Sequence, residues 1–221
     1  MPRLVIVGAG SLARLAHVYF TRDSGYEVAA FAVHRAYRSE DRCIGLPLVD
    51  LEDLPLLFAP TTCEVFVAIG YTQMNRARAR VVDSLKSQGY RLASYVSSRC
   101  TYLSDAPPGE NTLIMEDNTI QPFVQIGRNV ILWSGNHIGH DSVIGDHCFL
   151  TSHVVIAGYT CVEPYCFIGG NAVISGGQPI TVGASCLIGA GSIIHKSTAP
   201  NGVYVPARAR RLRLSSDQTR L

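Results

Sequence analysis

Residues 126–145 read IGRNVILWSGNHIGHDSVIG, with an aliphatic side chain at Ile126, Leu132, Ile138 and Ile144, one every six residues. The beat runs in both directions. It passes back through Ile120 to Ile114 and forward through Leu150, Ile156, Val162, Ile168 and Ile174, then resumes after a two-residue insertion near Gly176-Gly177 at Val182, Ile188 and Ile194. A period this strict, always Ile, Leu or Val, is architecture. Four residues after each aliphatic position comes a second, mostly small column: Val124, Val130, Asn136, Ser142, Cys148, Val154, Thr160, Cys166, Ala172, Cys186 and Ser192. One large and one small inward residue per rung fills a narrow solenoid without voids. Only seven charged residues fall between 112 and 196, too few for an amphipathic helical repeat, so the segment reads as a parallel β-helix. Gly127, Gly139, Gly145, Gly169, Gly183 and Gly189 each follow the aliphatic residue and are expected to turn the chain tightly.

The first half has another texture. Leu4-Val5-Ile6-Val7 ends in Gly8-Ala9-Gly10 and leads into an amphipathic stretch from Ser11 to about Thr21, which reads as strand, glycine turn and helix. Glu27 to Val33 and Val65 to Ile69 follow as strands, and Asn75 to Gln88 has helical spacing capped by Gly89. Strands alternating with helices imply parallel βαβ units. The expected organisation is an α/β Rossmann-like domain over residues 1–100 and the β-helix with a C-terminal tail over 101–221.

Composition narrows the classes. The chain has 221 residues, 19 basic and 17 acidic, for a formal charge of +2, which gives no electrostatic case for binding nucleic acid or an anionic membrane. Basic character gathers only at the end, in Arg208, Arg210, Arg211 and Arg213. Seven cysteines without a CxxC pair argue for a reducing compartment. Neither a charged-then-apolar leader nor an apolar run long enough to span a bilayer is present, and the expectation is a cytoplasmic protein.

The repeats of the form [Ile/Leu/Val]-Gly-x-x-x-x resemble the hexapeptide-repeat acyltransferases. That resemblance implies a left-handed parallel β-helix with about three hexads per coil, a homotrimer, and acetyl-CoA lying between adjacent helices. The VIVGAG turn, Val67-Ala68-Ile69-Gly70, Gly89-Tyr90-Arg91-Leu92-Ala93 and His140-Asp141-Ser142-Val143-Ile144-Gly145-Asp146 extend it over nearly the whole chain. Together they resemble the sugar acetyltransferases typified by the bacillosamine-pathway N-acetyltransferases and the sialic acid O-acetyltransferases.

Acetyl transfer to an amine or hydroxyl needs a base for the nucleophile's proton and a donor for the developing oxyanion. Four of the seven histidines, His137, His140, His147 and His153, fall within seventeen residues. The resemblance places the base on His140, with Asp141 as the acidic residue that orients it; the sequence singles out no side chain for the oxyanion, which is left to a backbone N–H. His137 and His153 are expected to meet substrate or the coenzyme groove; His147 and His195 are left as surface. The same resemblance assigns Gly158, about one coil after the base, and the Gly189-Ala190 turn to coenzyme A.

Gly8-Ala9-Gly10-Ser11-Leu12-Ala13 fits the dinucleotide fingerprint, but the second strand ends Ala32-Val33-His34-Arg35 without the acidic residue that would hold a ribose, which argues against NAD. In the related enzymes this domain binds a nucleotide-linked sugar. Gly8, Gly10 and Ser11 then fall to the phosphates, His34 and Arg35 to the base, and Gly70, Asn75 and Arg76 to the sugar nucleotide. Trp133, the single tryptophan, stands where relatives carry a small polar residue; it is expected to face outward, as a subunit-interface anchor in preference to a wall of the sugar pocket.

The leading expectation is acetyl-CoA-dependent N-acetylation of a nucleotide-linked amino deoxy sugar, without a metal, in making surface polysaccharide. Sugar O-acetylation uses the same chemistry. A zinc hydratase of the γ-carbonic-anhydrase kind would need three converging imidazoles. A non-catalytic sugar-nucleotide sensor or scaffold would be indifferent to loss of His140.

Overall fold

The structure, a computed structural model, describes residues 1–209; Arg210, Arg211 and Arg213 of the basic tail lie outside them. Six strands form the N-terminal sheet: β1 (Arg3–Val7), β2 (Glu27–Val33), β3 (Arg42–Cys43), β4 (Leu46–Asp50), β5 (Cys63–Val67) and β6 (Arg91–Leu92), in the order β3-β4-β2-β1-β5-β6. All pairings are parallel except the short β3–β4 edge hairpin. Alternation along β1 sends Leu4 and Ile6 to one face, where they meet Leu12, Ala13, Ala16 and Phe20 of α1 (Ser11–Arg22). Val5 and Val7 face the other way, toward α2 (Leu54–Leu57) and α3 (Arg76–Ser87), against Leu54, Val82 and Leu85. With apolar cover on both sides, the strands are continuous apolar runs.

From Tyr95 the chain coils. His137 pairs with Thr119 below and Val155 above, Val143 with Gln125 and Cys161, and Ile131 with Leu113 and Phe149. Each step is eighteen residues, so three hexads close one turn and the stack has three parallel faces. The insertion lengthens one turn, as Thr160 pairs with Ile180 and Val173 with Ile193. Both inward columns are buried throughout: the aliphatic one from Ile114 to Ile194 and the small one from Val124 to Ser192.

The corner geometry differs from the sequence expectation. Positive φ falls three residues before every aliphatic position but Val182, which follows the insertion, at Asn111 (56°), Asn129 (57°), Asp141 (55°), His147 (63°) and Tyr165 (64°), among others. The glycines after the aliphatic residues are there for space: a Cβ at Gly139 would overlap the backbone nitrogen of Gly158, and one at Gly169 the backbone nitrogen of Ala190. Consecutive coils therefore approach backbone to backbone where the sequence places Gly.

A buried ladder on one corner joins the two layers. Asn111 Oδ1 accepts from the Val67 N–H of β5 at 2.7 Å, and Asn111 Nδ2 donates to Asn129 Oδ1 at 2.9 Å. Arg78 Nε also donates to Asn129 Oδ1, at 2.9 Å, which leaves Asn129 Nδ2 as donor to His147 Nδ1 at 2.8 Å. His147, read from the sequence as surface, is thus buried and stacked on Tyr165, because its corner faces α3 and not solvent. Burial, then the nearby Arg128, lowers its pKa below the ordinary 6.5. A second proton would set donor against donor. Because the unfolded chain binds this proton more readily, the stability held by neutral His147 is present above pH about 6.5 and is lost as pH falls below it. The melting temperature should drop between about pH 7.5 and 5.5. His147→Asn, which suits the left-handed corner, should flatten that slope; an unchanged slope would assign it elsewhere, with His17, also lowered by burial, the next group to test.

Candidate active site

His140 sits at the corner after the strand His137–Ile138. The left-handed backbone at Asp141 turns that carboxylate back on its neighbour, and Asp141 Oδ2 lies 2.8 Å from His140 Nδ1. With the Nδ1 hydrogen donated to Asp141, the Nε2 lone pair is left outward. Gln121 Oε1 accepts the His140 backbone N–H at 2.8 Å, and the Tyr159 ring meets the imidazole edge to face at 5.0 Å. Gly158 lies beneath the ring: a Cβ there would come within 2.8 Å of Nε2. The His140 side chain is 49% exposed, so the imidazole is held on one side and open on the other.

Gly189 and Ala190 follow the strand Leu187–Ile188, on another face of the coil from the strand Val155–Ile156 that precedes Gly158. The structure thus brings Gly158 to His140 and sets the Gly189-Ala190 turn at a different corner. His137 lies on the face between those corners, half-buried, beside the exposed Val155; His153 is exposed and lays its ring over Gly135. The exposed His195 has its Nδ1 3.2 Å from Ser175 O. Among the described residues no group of three His, Cys, Asp or Glu side chains is gathered as a metal site, and the four clustered histidines do not converge.

A cavity of about 1140 Å³ opens between the two layers. Gly8, Gly10, Ser11, His34 and Gly70 line it from the strand ends, Trp133 and Phe149 from the coil, and Ala77, Arg80, Val81 and Ser84 from one face of α3. Gly8 has φ 129°, and a Cβ there would sit 2.7 Å from Ala68 O, so the turn requires glycine. Gly10 caps α1 with no side-chain hydrogen bond, and the first turn carries no acidic residue. Unsatisfied N–H groups and the positive end of the helix dipole therefore face the cavity.

Several expectations are corrected. Arg35 turns away from the cavity to Asp50 (2.7 Å) and Asp53 (2.9 Å). Asn75 is fully buried, donating to Cys166 O at 3.2 Å and accepting from Arg78 Nη1 at 3.1 Å, so it ties the layers together and does not reach a ligand. Arg76 bonds Ser185 Oγ at 2.9 Å and lies over the Tyr165 ring, because its side of α3 faces the coil. Trp133 packs toward Phe149 and lines the cavity, since its corner of the coil is the one covered by the N-terminal sheet. It is therefore a cavity wall and not an outward anchor.

Two residues escape a reading of the sequence. Glu52 lines the cavity with Oε1 3.2 Å from His34 Nδ1 and Oε2 accepting the Arg35 N–H at 3.0 Å. Backbone N–H donors lower its pKa, so it stays ionised. An acidic group therefore does stand at the end of β2, supplied by the turn after β4 through the pairing of Val33 with Asp50. The other is Arg78, fully buried behind the cavity wall, with no signal to separate it from Arg76 and Arg80.

The family model for bacterial transferase hexapeptide (six repeats) matches residues 125–158. No curated protein matches the chain. Among solved structures, the acetyltransferase domain of PglB from Neisseria gonorrhoeae is similar at 21% identity and a TM-score of 0.78, over 96% of this chain and 100% of that one. PerB from Caulobacter crescentus, solved with CoA and GDP-perosamine, is similar at 24% identity and 0.81, over 93% and 95%. WeeI from Acinetobacter baumannii is similar at 22% and 0.79, over 96% and 100%. The likeness runs through both layers and defines the class of fold: a parallel α/β sheet joined to a coil of hexapeptide repeats.

Proposed function

We propose that the protein transfers an acetyl group from acetyl-CoA to the amine of a nucleotide-linked amino deoxy sugar, with His140 as general base. The observation that carries this reading is the His140–Asp141 pair on a hexapeptide coil, its Nε2 bare and its tautomer fixed. The neutral amine attacks the thioester carbonyl, a C–N bond forms, and the tetrahedral intermediate collapses with loss of the C–S bond. His140 takes the amine's proton, and the departing thiolate is protonated to free coenzyme A.

We assign residues 1–100, as a Rossmann-like domain, to the nucleotide sugar, and residues 101–221, a left-handed β-helix with a C-terminal tail, to acyl transfer. A cavity of about 1140 Å³ is large enough for a nucleotide-linked sugar. The α1 N-terminus with Gly8, Gly10 and Ser11 suits the diphosphate, His34 and Glu52 the nucleoside, and Gly70 and Trp133 the sugar. His140 does not line this cavity, and its open side calls for a second surface. We therefore assign the complete site to the boundary between copies of a homotrimer. The exposed Val155 and Ile193, on the face that carries His137, supply apolar area for that contact, and Gly158 from one copy with Gly189-Ala190 from the next would flank coenzyme A. Similarity to PerB, which was solved with CoA and GDP-perosamine, and to a PglB acetyltransferase domain solved with acetyl coenzyme A supports the pairing of substrates. We place the reaction in the cytoplasm, in the making of surface polysaccharide.

The deciding experiment is release of free thiol from acetyl-CoA across UDP-, dTDP- and GDP-linked 3-amino and 4-amino sugars. Turnover with at least one is expected. Turnover of an unactivated sugar alone would overturn the acceptor class, and transfer to a hydroxyl would make the enzyme an O-acetyltransferase with the same base. Gly158→Ala provides a local check. The new methyl would push the imidazole off its line, so kcat should fall by about 10-fold or more while the melting temperature holds within a few degrees. Wild-type kcat in this variant would place the reacting atoms away from Nε2.

A further inference from the structure

Arg76-Ala77-Arg78-Ala79-Arg80 opens α3, and Arg80 is the one guanidinium among the residues lining the cavity. Among the described residues it pairs with no carboxylate. Its Nη2 donates to Gln73 Oε1 at 2.7 Å, which draws the exposed side chain toward the turn that follows β5. That turn is unusual: Gln73 (54°), Met74 (51°) and Asn75 (66°) are three successive left-handed residues, a conformation each adopts at a cost. It is held from behind, where Asn75 N–H donates to Tyr71 O at 3.1 Å and the buried Asn75 side chain reaches Cys166 O. The strain fixes where Gln73 presents its amide oxygen, and so where Arg80 points.

Of the cavity's other lining residues, Glu52 and His34 are occupied with each other, Glu52 Oε1 lying 3.2 Å from His34 Nδ1. Arg80 is left, among the described residues, as a guanidinium without a carboxylate partner beside a cavity that already offers unsatisfied N–H groups at the start of α1. A diphosphate carries the charge and the paired oxygens that a guanidinium fork takes bidentately. We infer that Arg80, held by Gln73, is a binding residue for the diphosphate of the substrate, closing on it from the α3 side while the glycine turn holds it from the α1 side. This rests on reading the cavity as a nucleotide site.

Calorimetric titration with GDP, UDP and dTDP, with no acyl donor, tests it apart from turnover. Wild type should bind at least one; binding of none would overturn both the nucleotide reading and this assignment. For the nucleotide that binds, Arg80→Gln should raise Kd by about 10- to 100-fold, with Arg80→Lys between the two. Gln73→Glu, nearly isosteric, would pair with the guanidinium and neutralise it, so it should weaken the nucleotide about as much as Arg80→Gln. Arg80 is exposed, and the variants should melt with wild type. Wild-type affinity in Arg80→Gln would overturn the binding role while leaving the nucleotide reading intact, and wild-type affinity in Gln73→Glu would overturn the role given to Gln73.

Discussion

Replacing His140 by alanine is expected to lower kcat by about 10²- to 10⁴-fold, with KM for acetyl-CoA and for the nucleotide sugar changed little. The size follows from the geometry. Among the described residues no other imidazole stands beside this turn, since His137 lies on the preceding face, His153 at another corner, His147 is buried against Asn129, and His195 is three coils further along, beside Ser175. Asp141→Asn keeps a residue that tolerates the left-handed backbone and can still hydrogen-bond Nδ1, but it weakens the contact that fixes the ring by replacing a carboxylate with a neutral amide. It should cost less, about 10-fold, and appear in kcat more than in KM. An alanine variant at His140 with wild-type kcat would remove the base from the mechanism, and a non-catalytic sensor would then be the better reading of the fold.

Arg78→Met is expected to destabilise the protein by on the order of 3–5 kcal/mol. The guanidinium is fully buried and faces no carboxylate. Its partners are five backbone carbonyls, of Ile69, Gly70, Asn129, His147 and Cys148, and the amide oxygens of Asn75 and Asn129. Burial lowers its pKa to about 9, which still leaves it charged at neutral pH. Removing a buried charge ordinarily recovers desolvation energy, and a methionine would fit the space. Here the recovery is outweighed, because backbone carbonyls cannot be replaced along with the charge and would be left in the interior without donors. Arg78→Lys, with three donors in place of five, should fall between the two. Urea unfolding measures both; a methionine variant as stable as wild type would show that water or repacking satisfies the carbonyls.

The two layers were unequally legible in the sequence. Burial in a stacked coil repeats every turn, so both inward columns could be read from spacing, and every member is buried. The corners could not. Their left-handed residues are Asn, Asp, His, Tyr, Phe, Ser and Gly in mixed order, and the glycines that directly follow the aliphatic column serve the close approach of neighbouring coils. The missing acid at the end of β2 was invisible for another reason: Glu52 arrives there from a later turn only after β4 has paired with β2.

The amino-acid order by itself determined that this chain coils through residues 112–196 (though not that the coil begins at Tyr95), that its first half alternates strand and helix, and that His140 and Asp141 are adjacent. Each of these depends on positions close in the chain or on a regular repeat, where local geometry decides the outcome. Tertiary structure alone decided the fates of Arg76, Arg78 and Arg80, three like residues two apart on one helix. One lies over Tyr165, one is sealed among carbonyls, and one is open to the cavity. The reason is the surroundings of α3, which packs against its own sheet on one side and the coil on another, with the cavity between. A charge's environment is set by what folds against it, and no spacing in the sequence records that.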